Sequence, residues 1–143
     1  MKPVISRSDC PVSYSLDIFG DKWTLLILRD MMLDEKTSYS EFMTSQEKIA
    51  SNILINRLNT LHSQGFVTKK ASPLNKSKFL YTLTEKAIDL VPVIVDLIEW
   101  GEKYNKKGQP KSVLDKVLKN KPKAVKEIQD GLRKKRDQSE LLA

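Results

Sequence analysis

The segment from Lys48 to Thr84 constrains the fold most, because a helix-like run is followed there by two strand-like runs. The helical run spans Ala50 to Gln64, and the Gly65 that follows suits a helix C-terminus. The strand-like runs, Phe66 to Ala71 and Lys78 to Leu83, are rich in Val, Thr, Phe and Tyr and are separated by a turn-forming cluster. The segment therefore predicts a helix followed by a β-hairpin.

A second, shorter helix is predicted just before this segment. Ser38 and Glu41 have the spacing of a capping box, in which the serine and glutamate side chains satisfy each other's free backbone N–H groups. The short helix runs from Tyr39 to about Ser45, and a tight turn leads to the longer helix. Two helices joined in this way are typical of a helix-turn-helix, and a hairpin directly after the second helix is a wing.

The charges of the chain are segregated. Residues 1–105 hold 13 Lys/Arg and 13 Asp/Glu, whereas residues 106–143 hold 12 and 5, so the net +7 comes from the tail. Within the balanced part, the segment 48–84 contains no acidic residue and six basic ones. Positive faces of this kind attract phosphate backbones through counterion release. The alternative is a solvated basic surface.

The longer helix has one apolar face and one uncharged polar face. At about 100° per residue, the apolar stripe comprises Ala50, Ile53, Leu54, Leu58 and Leu61. The opposite face carries Asn52, Asn56, Asn59 and Ser63, flanked by Ser51 and Ile55. Asparagine is a middling helix former, but its amide matches the N6 and N7 edge of adenine, and isoleucine suits a thymine methyl. We interpret this as a base-reading face; the alternative is polar filler.

The hairpin carries lysines suited to phosphate contacts. Lys69, Lys70, Lys76 and Lys78 lie on or beside it. They would contact the DNA backbone or reach into the minor groove, which supplies affinity without sequence information. Ordinary solvated lysines are the alternative.

The helices on either side of this region carry more apolar residues than one chain's core requires. A helix predicted from Asp21 to Leu33 is apolar on more than one side, and a helix predicted after Thr84 should be broken near Ile88 to Val91 by Pro92. We interpret the excess as a dimer interface, and packing within one chain is the alternative. The predicted interface residues are Trp23, Ile94, Leu97, Ile98 and Trp100.

Composition argues against several classes of protein. The single Cys10 and single His62 exclude a cysteine-built metal cage and most nucleophile–base pairs, and the five glycines are isolated from one another. We therefore expect no enzyme activity, no metal site and no cofactor. The apolar runs are too short to cross a bilayer and the N-terminus lacks a secretory pattern, so we expect a cytoplasmic protein.

A change of composition after residue 105 predicts a boundary. We expect one domain over residues 1–105 and a basic helical extension over residues 106–143. A linker at Lys106 to Pro110 would lead to a short amphipathic helix and then to another beginning at Pro122. The default interpretation of this extension is solvation, and the alternatives are packing on the dimer, phosphate contacts and fraying beyond Arg136.

Several fragments resemble one family jointly. They are Cys10-Pro11-Val12, Gly20-Asp21-Lys22-Trp23-Thr24, Ile27-Leu28-Arg29-Asp30, Tyr39-Ser40-Glu41-Phe42, Ile49 to Leu54, Arg57-Leu58, Tyr81 to Thr84 and Glu99-Trp100-Gly101. This set resembles the HxlR-type transcriptional regulators over roughly residues 10–104. The resemblance implies a mainly α-helical winged helix-turn-helix with a small β-hairpin wing, dimeric through its N- and C-terminal helices, that acts as a bacterial or archaeal repressor or activator.

Two features of the chain depart from the family pattern, and a third is shared with only some members. Ala50 stands where many members have a hydroxyl residue, and Ser51 is expected to take over the capping role. The extension after Lys106 exceeds the family pattern, so its role is not inherited. Cys10 occupies the position that some relatives use as a thiol sensor, and Lys2, Arg7 and the helix N-terminus would lower its pKa. A cysteine without a sensing role, as in many relatives, is the alternative.

The sequence thus leads to one hypothesis and one rival. The hypothesis is a homodimeric, sequence-specific transcriptional regulator, with repression as the expected sign, that binds a palindromic operator in double-stranded DNA. Ser38 and Tyr39 would hold phosphate, and a small-molecule or redox effector is left open. The rival is a winged-helix protein-interaction module without sequence-specific DNA binding, whose lysines serve solubility.

Overall fold

The computed structural model describes residues 6–105 and 111–141, which form eight helices and two strands. The elements are α1 (Pro11–Phe19), α2 (Lys22–Leu33), α3 (Tyr39–Phe42), α4 (Ser51–Ser63), β1 (Val67–Ala71), β2 (Phe79–Leu83), α5 (Glu85–Ile88), α6 (Val91–Tyr104), α7 (Lys111–Lys119) and α8 (Lys121–Leu141). The chain divides into two compact units, the first ending at Thr82 and the second beginning at Leu83. The mainly helical fold with one hairpin wing is confirmed.

The helix starts of the first unit follow from local sequence chemistry. Pro11 occupies the first position of α1, where a missing N–H costs nothing. Asp21 caps α2 by accepting hydrogen bonds from the backbone N–H groups of Trp23 and Thr24. The predicted capping box of α3 is present, since the side chains of Ser38 and Glu41 each bind the other's backbone N–H.

The core of the first unit lies between α2, α4 and the hairpin. Fully buried side chains come from α2, α3 and α4; they are Thr24, Leu28, Phe42, Leu54, Leu58 and Leu61. Three of these leucines belong to the stripe predicted from helical rotation. Phe42 also meets Tyr81 of β2 edge-on, with ring centroids 6.4 Å apart. The apolar face of α4 is therefore used in packing, and its polar face is left to solvent.

The short helix α3 ends earlier than predicted, at Phe42 rather than near Ser45. Beyond Phe42 the backbone hydrogen bonds change to the tighter i to i−3 type, as in Ser45 N–H to the Phe42 carbonyl at 3.3 Å. The Ser45 hydroxyl bonds to the buried carboxylate of Asp30 on α2. This contact anchors the turn and explains why the helix stops.

The expected capping role of Ser51 is wrong. The N-cap of α4 is Ala50, whose backbone is extended (φ −69°, ψ 143°) and whose side chain makes no cap hydrogen bond. Ser51 is already the first helical residue, so its hydroxyl cannot take the N-cap position. The N-cap of α5 is Thr84, and its side chain makes no cap hydrogen bond.

The wing is held to the helix-turn-helix by backbone pairing. Gly65, at φ +80°, reverses the chain after α4 so that β1 can begin. The strand β2 pairs with β1 on one side and forms an antiparallel bridge between Leu80 and Ser38 on the other. In addition, the Tyr81 N–H donates to the Thr37 carbonyl at 2.8 Å. The start of α3 and the wing are thus fixed relative to each other.

The second unit consists of α5 to α8. The expected break near Ile88 to Val91 is confirmed, because α5 ends at Ile88 and α6 begins at Val91 with Pro92 in its first turn. The helix α8 lies against α5, α6 and α7. Its Arg133 and Arg136 each pair with Glu85 at 2.9 Å, and the Gln129 side chain donates to the Ile88 carbonyl at 3.2 Å. This helix is therefore packed in its own chain, and it continues past Arg136 to Leu141.

Two expectations about organisation are not tested. The predicted linker at Lys106 to Pro110 lies outside the described residues, and the predicted boundary at residue 105 stays a prediction. Across the described ranges, no helix combines the length and apolar character needed to span a membrane.

Candidate nucleic-acid interface

The predicted reading face of α4 is exposed in the folded chain. Ser51, Asn52, Ile55, Asn56 and Asn59 are all solvent-exposed, with Ile55 48% exposed. The opposite side of the same helix is held by Leu54, Leu58 and Leu61, each at most 1% exposed. An exposed face with no charged residue on a firmly packed helix is suited to contacts with base edges.

The three asparagines of this face are not equivalent. The amide oxygen of Asn56 accepts a hydrogen bond from Arg57 Nη1 at 2.6 Å. Arg57 Nε in turn donates to Asp21 Oδ1, at the start of α2, at 3.0 Å. Within the described part of the chain, the side chains of Asn52 and Asn59 make no such bond. Helical rotation placed Arg57 at the margin of the apolar stripe, but no sequence signal pointed to its link with Asp21.

The two residues predicted to hold phosphate at the start of α3 differ in access. Ser38 is only 5% exposed, and its hydroxyl is engaged with Glu41 in the capping box. Tyr39 is 39% exposed. The geometry therefore leaves Tyr39 as the accessible group, with Ser38 holding the turn that presents it.

The wing presents its lysines in two ways. Lys76 and Lys78 are exposed at and beside the turn, whereas Lys69 and Lys70 are partly covered. Lys69 Nζ lies 4.2 Å from the centroid of the Phe79 ring, an arrangement typical of a cation–π contact. The turn itself is stabilised by Asn75, whose side-chain oxygen accepts from Ser77 N–H at 3.1 Å.

A cleft of about 360 Å³ lies where α3, α4 and the wing meet. Of the predicted DNA-binding residues, it is lined by Ser38, Tyr39, Ile55, Asn59, Lys69 and Lys78. The others, Ser51, Asn52, Asn56, Lys70 and Lys76, lie outside it. Five further lining residues were not among the predicted DNA-binding residues; they are Ser40, Leu58, Ser77, Phe79 and Tyr81. The Phe79 ring is 44% exposed although it lies on the same strand face as the buried Tyr81 and Leu83, so the alternation of the strand gave no signal that would have identified it.

A charged network beneath the helix-turn-helix fixes the turn between α3 and α4. Arg29 makes two hydrogen bonds to the Glu47 carboxylate, at 2.8 and 2.9 Å, and also binds Asp30 Oδ1 at 2.8 Å. Asp30 is 2% exposed and also pairs with Lys36 at 3.4 Å. The Arg29 guanidinium lowers the pKa of Glu47 to about 2, so this carboxylate is charged at neutral pH.

Cys10 is exposed and precedes the first residue of α1. The backbone N–H groups of Ser13 and Val12, in the first turn of that helix, lower the pKa of the Cys10 thiol. Arg7 is not among the groups that lower this pKa, and its Nε lies 3.9 Å from the carboxylate of Asp17. Lys2 lies outside the described residues.

The predicted dimer residues differ in exposure. Leu97 is 49% and Trp100 67% exposed, and the Trp100 ring lies 5.1 Å from that of Tyr104. Trp23 and Ile98 are partly exposed. Ile94 is only 4% exposed in the single chain, so it offers little area to a partner.

Comparison with known proteins identifies the family that this geometry represents. The model of the HxlR-like helix-turn-helix family matches residues 18–109. YdeP of Bacillus subtilis, described as an uncharacterized HTH-type transcriptional regulator, is 36% identical over 95 residues, which is 66% of this chain and 73% of YdeP.

Two solved structures share the architecture. The redox regulator HypR in its oxidized form matches with a TM-score of 0.60 and 31% identity, over 67% of this chain and 98% of HypR. The reduced form of the transcriptional regulator YodB from B. subtilis matches with a TM-score of 0.54 and 26% identity, over 71% of this chain and all of that one (100%). The resemblance found in the sequence is confirmed, and the chain belongs to the HxlR-like helix-turn-helix family.

Proposed function

We propose that this chain is a sequence-specific DNA-binding transcriptional regulator rather than an enzyme, with repression as the expected sign. The observation that carries the proposal is the exposed, uncharged amide face of α4 next to the lysines of the wing. Neutral amides read bases, whereas lysines supply affinity for the backbone. Its proposed partner, chromosomal DNA, would place it in the cytoplasm.

The proposed active form is a homodimer on a palindromic operator. Two copies would place their α4 helices in successive major grooves, with the wings against the flanking backbone. Support comes from the apolar side chains Leu97, Trp100 and Tyr104, which α6 leaves exposed. Such a cluster on one helix is characteristic of a contact with another protein.

Selection of bound fragments from random duplex DNA tests the proposal. We expect enrichment of a palindrome whose half-sites lie about one helical turn, or a multiple of it, apart. Binding should also weaken steeply with salt, because phosphate contacts release counterions. If no sequence is enriched and duplex binding depends little on salt, the rival function as a protein-interaction module is favoured.

A thiol response is a second part of the proposal. Cys10 is exposed, and the first turn of α1 lowers the pKa of its thiol. Among the similar structures, HypR is described as a redox regulator and YodB is described in its reduced form. A thiolate is the reactive form of cysteine, so this group is suited to reaction with oxidants.

Mild peroxide treatment tests this part. We expect a mass increase, or a disulfide between two copies, together with a change in operator affinity, and neither should occur in Cys10→Ser. An unchanged mass and unchanged affinity in the wild-type protein would remove the sensing role while leaving DNA binding intact.

A further inference from the structure

Three side chains connect the start of α2 to the exposed face of α4. The Asp21 carboxylate is held by the backbone N–H groups of Trp23 and Thr24, both at 3.0 Å, and by the Thr24 hydroxyl at 2.7 Å. Arg57 Nε donates to the same carboxylate at 3.0 Å. The guanidinium therefore has a fixed anchor on a different helix, and its side chain is only 29% exposed.

The contact between Arg57 and Asn56 determines how the amide is oriented. Arg57 Nη1 lies 2.6 Å from Asn56 Oδ1. A guanidinium can only donate hydrogen bonds, so the oxygen of the amide must face it and the NH₂ group must point elsewhere. Neighbouring residues of a helix do not normally face each other. Here Arg57 reaches back along the surface, and the hydrogen bond is of the strong charge-assisted type.

We propose that Arg57 is a positioning residue that makes Asn56 a hydrogen-bond donor to DNA. This inference rests on the proposed DNA-binding function. In the proposed complex with DNA, the NH₂ group of Asn56 donates to an acceptor in the major groove, namely purine N7, guanine O6 or thymine O4. Two-point recognition of adenine needs the amide oxygen to accept from N6 as well. Arg57 occupies one of the two lone pairs of that oxygen and turns it toward the guanidinium, so the NH₂ group is the part of the amide presented to a base.

The other two asparagines of the face supply an internal comparison. Asn52 and Asn59 have no side-chain hydrogen bond within the described part of the chain, so both groups of each amide are available to a base. The face then contains two kinds of amide: one that only donates to a base, and two that can both donate and accept. Asn56 selects an acceptor, and its neighbours are free to pair with both the N6 and N7 groups of adenine.

Base analogues in the selected operator test the proposal without any change to the fold. Asn56→Ala first identifies the base pair at which specificity relaxes. Removing a major-groove acceptor there, by 7-deazapurine or by thymine without O4, should weaken wild-type binding at least about fivefold. Removing the major-groove amino group should leave affinity unchanged. A comparable loss on removing the amino group would overturn the proposal.

Arg57→Met tests the positioning role itself. We expect base preference at the Asn56 pair to fall at least about threefold, while preference at the pair read by Asn52 stays the same. A uniform loss at both pairs would mean that Arg57 has a structural role only. If Arg57→Met does not fold, Asp21→Asn replaces it, because it keeps an oxygen for the N–H groups of α2 and removes the charge that anchors Arg57.

Failure of this inference differs from failure of the proposed function. Absence of any enriched sequence in the selection would contradict sequence-specific binding altogether. An enriched operator that tolerates loss of the acceptor but not of the amino group would contradict the inference alone.

Discussion

Asn56 and Arg57 are adjacent in α4 but have different surroundings. Asn56 lies on the exposed face of α4, whereas Arg57 is tied to Asp21, 36 residues earlier. Helical rotation predicts which face each residue occupies, because it depends only on position in the helix. It does not predict the ion pair, which depends on how α2 packs on α4. The hydrogen bond between Ser45 and Asp30 is likewise not predicted by helical rotation, because it also joins residues far apart in the sequence.

The ion pair between Glu47 and Arg29 predicts a pH dependence of stability. The folded pKa of Glu47 is about 2, below its ordinary value of 4.5. The stabilisation is therefore complete above pH 4.5 and is lost as the pH falls toward 2. Glu47→Gln should lower stability at pH 7 and flatten its decline across that interval.

Urea unfolding at a series of pH values measures this effect. Glu140→Gln, which changes an exposed carboxyl on α8, is the control and should follow the wild-type curve. Parallel curves for Glu47→Gln and wild type would show that the pair contributes nothing to stability.

The exposed wing lysines should contribute affinity without specificity. We expect Lys78→Ala to weaken binding to operator and random duplex by the same factor. We also expect it to reduce the slope of log affinity against log salt by about 1, as for one lost phosphate contact. Titrations at several salt concentrations measure both. Lys123→Ala, on α8, is the matched control, and an operator-only loss in Lys78→Ala would contradict a backbone role.

At the level of elements, patterns in the sequence located the helices and the wing well but not all their ends. The 3.6-residue period and Gly65 delimit α4 to within one residue, and the break around Pro92 is where proline chemistry requires it. The helix α3 is shorter than predicted because Ser45 bonds to a residue of α2. Tertiary contacts of this kind leave no local signal.

Gly65 gives a prediction about the junction between α4 and the wing. Its φ is +80°, and a Cβ built there meets no atom within 4 Å. Gly65→Ala should therefore destabilise the first unit by about 1 to 2 kcal/mol through backbone conformation alone. Gly131→Ala, in the middle of α8 and also without close contacts, should instead stabilise by about 0.5 to 1 kcal/mol.

Amide hydrogen exchange in α4 and α8 distinguishes these effects. Protection should fall in α4 for the first variant and rise in α8 for the second. Equal stability of Gly65→Ala and wild type would show that the backbone relaxes out of the left-handed conformation.

For the whole molecule, the sequence does not predict what packs against the extra apolar side chains of the C-terminal helices. Sequence alone leaves packing within the chain and packing against a second copy as alternatives. In the structure Ile94 is buried within the chain, whereas Leu97 and Trp100 are exposed, and their place in a dimer interface stays a prediction. The charge surplus of the tail is likewise used in part within the chain, through Arg133 and Arg136 on Glu85.

The proposed homodimer predicts different effects of two identical substitutions. Leu97→Ala should raise the dissociation constant of the dimer at least about fivefold, as expected for loss of about 1 kcal/mol at an interface. Leu74→Ala removes an even more exposed leucine, 98% accessible, from the wing turn and should have no effect. Sedimentation equilibrium measures both, and a monomeric wild-type protein would contradict the proposal.

The link from Asp21 through Arg57 to Asn56 has a consequence for transplanting specificity between relatives. Exchange of the α4 segment alone would carry Asn56 and Arg57 into a new protein but leave Asp21 behind. The amide would then lose its orientation although every residue of the reading face had been transferred. A functional graft therefore has to include the start of α2, and the unit of inherited specificity in this chain is discontinuous in sequence.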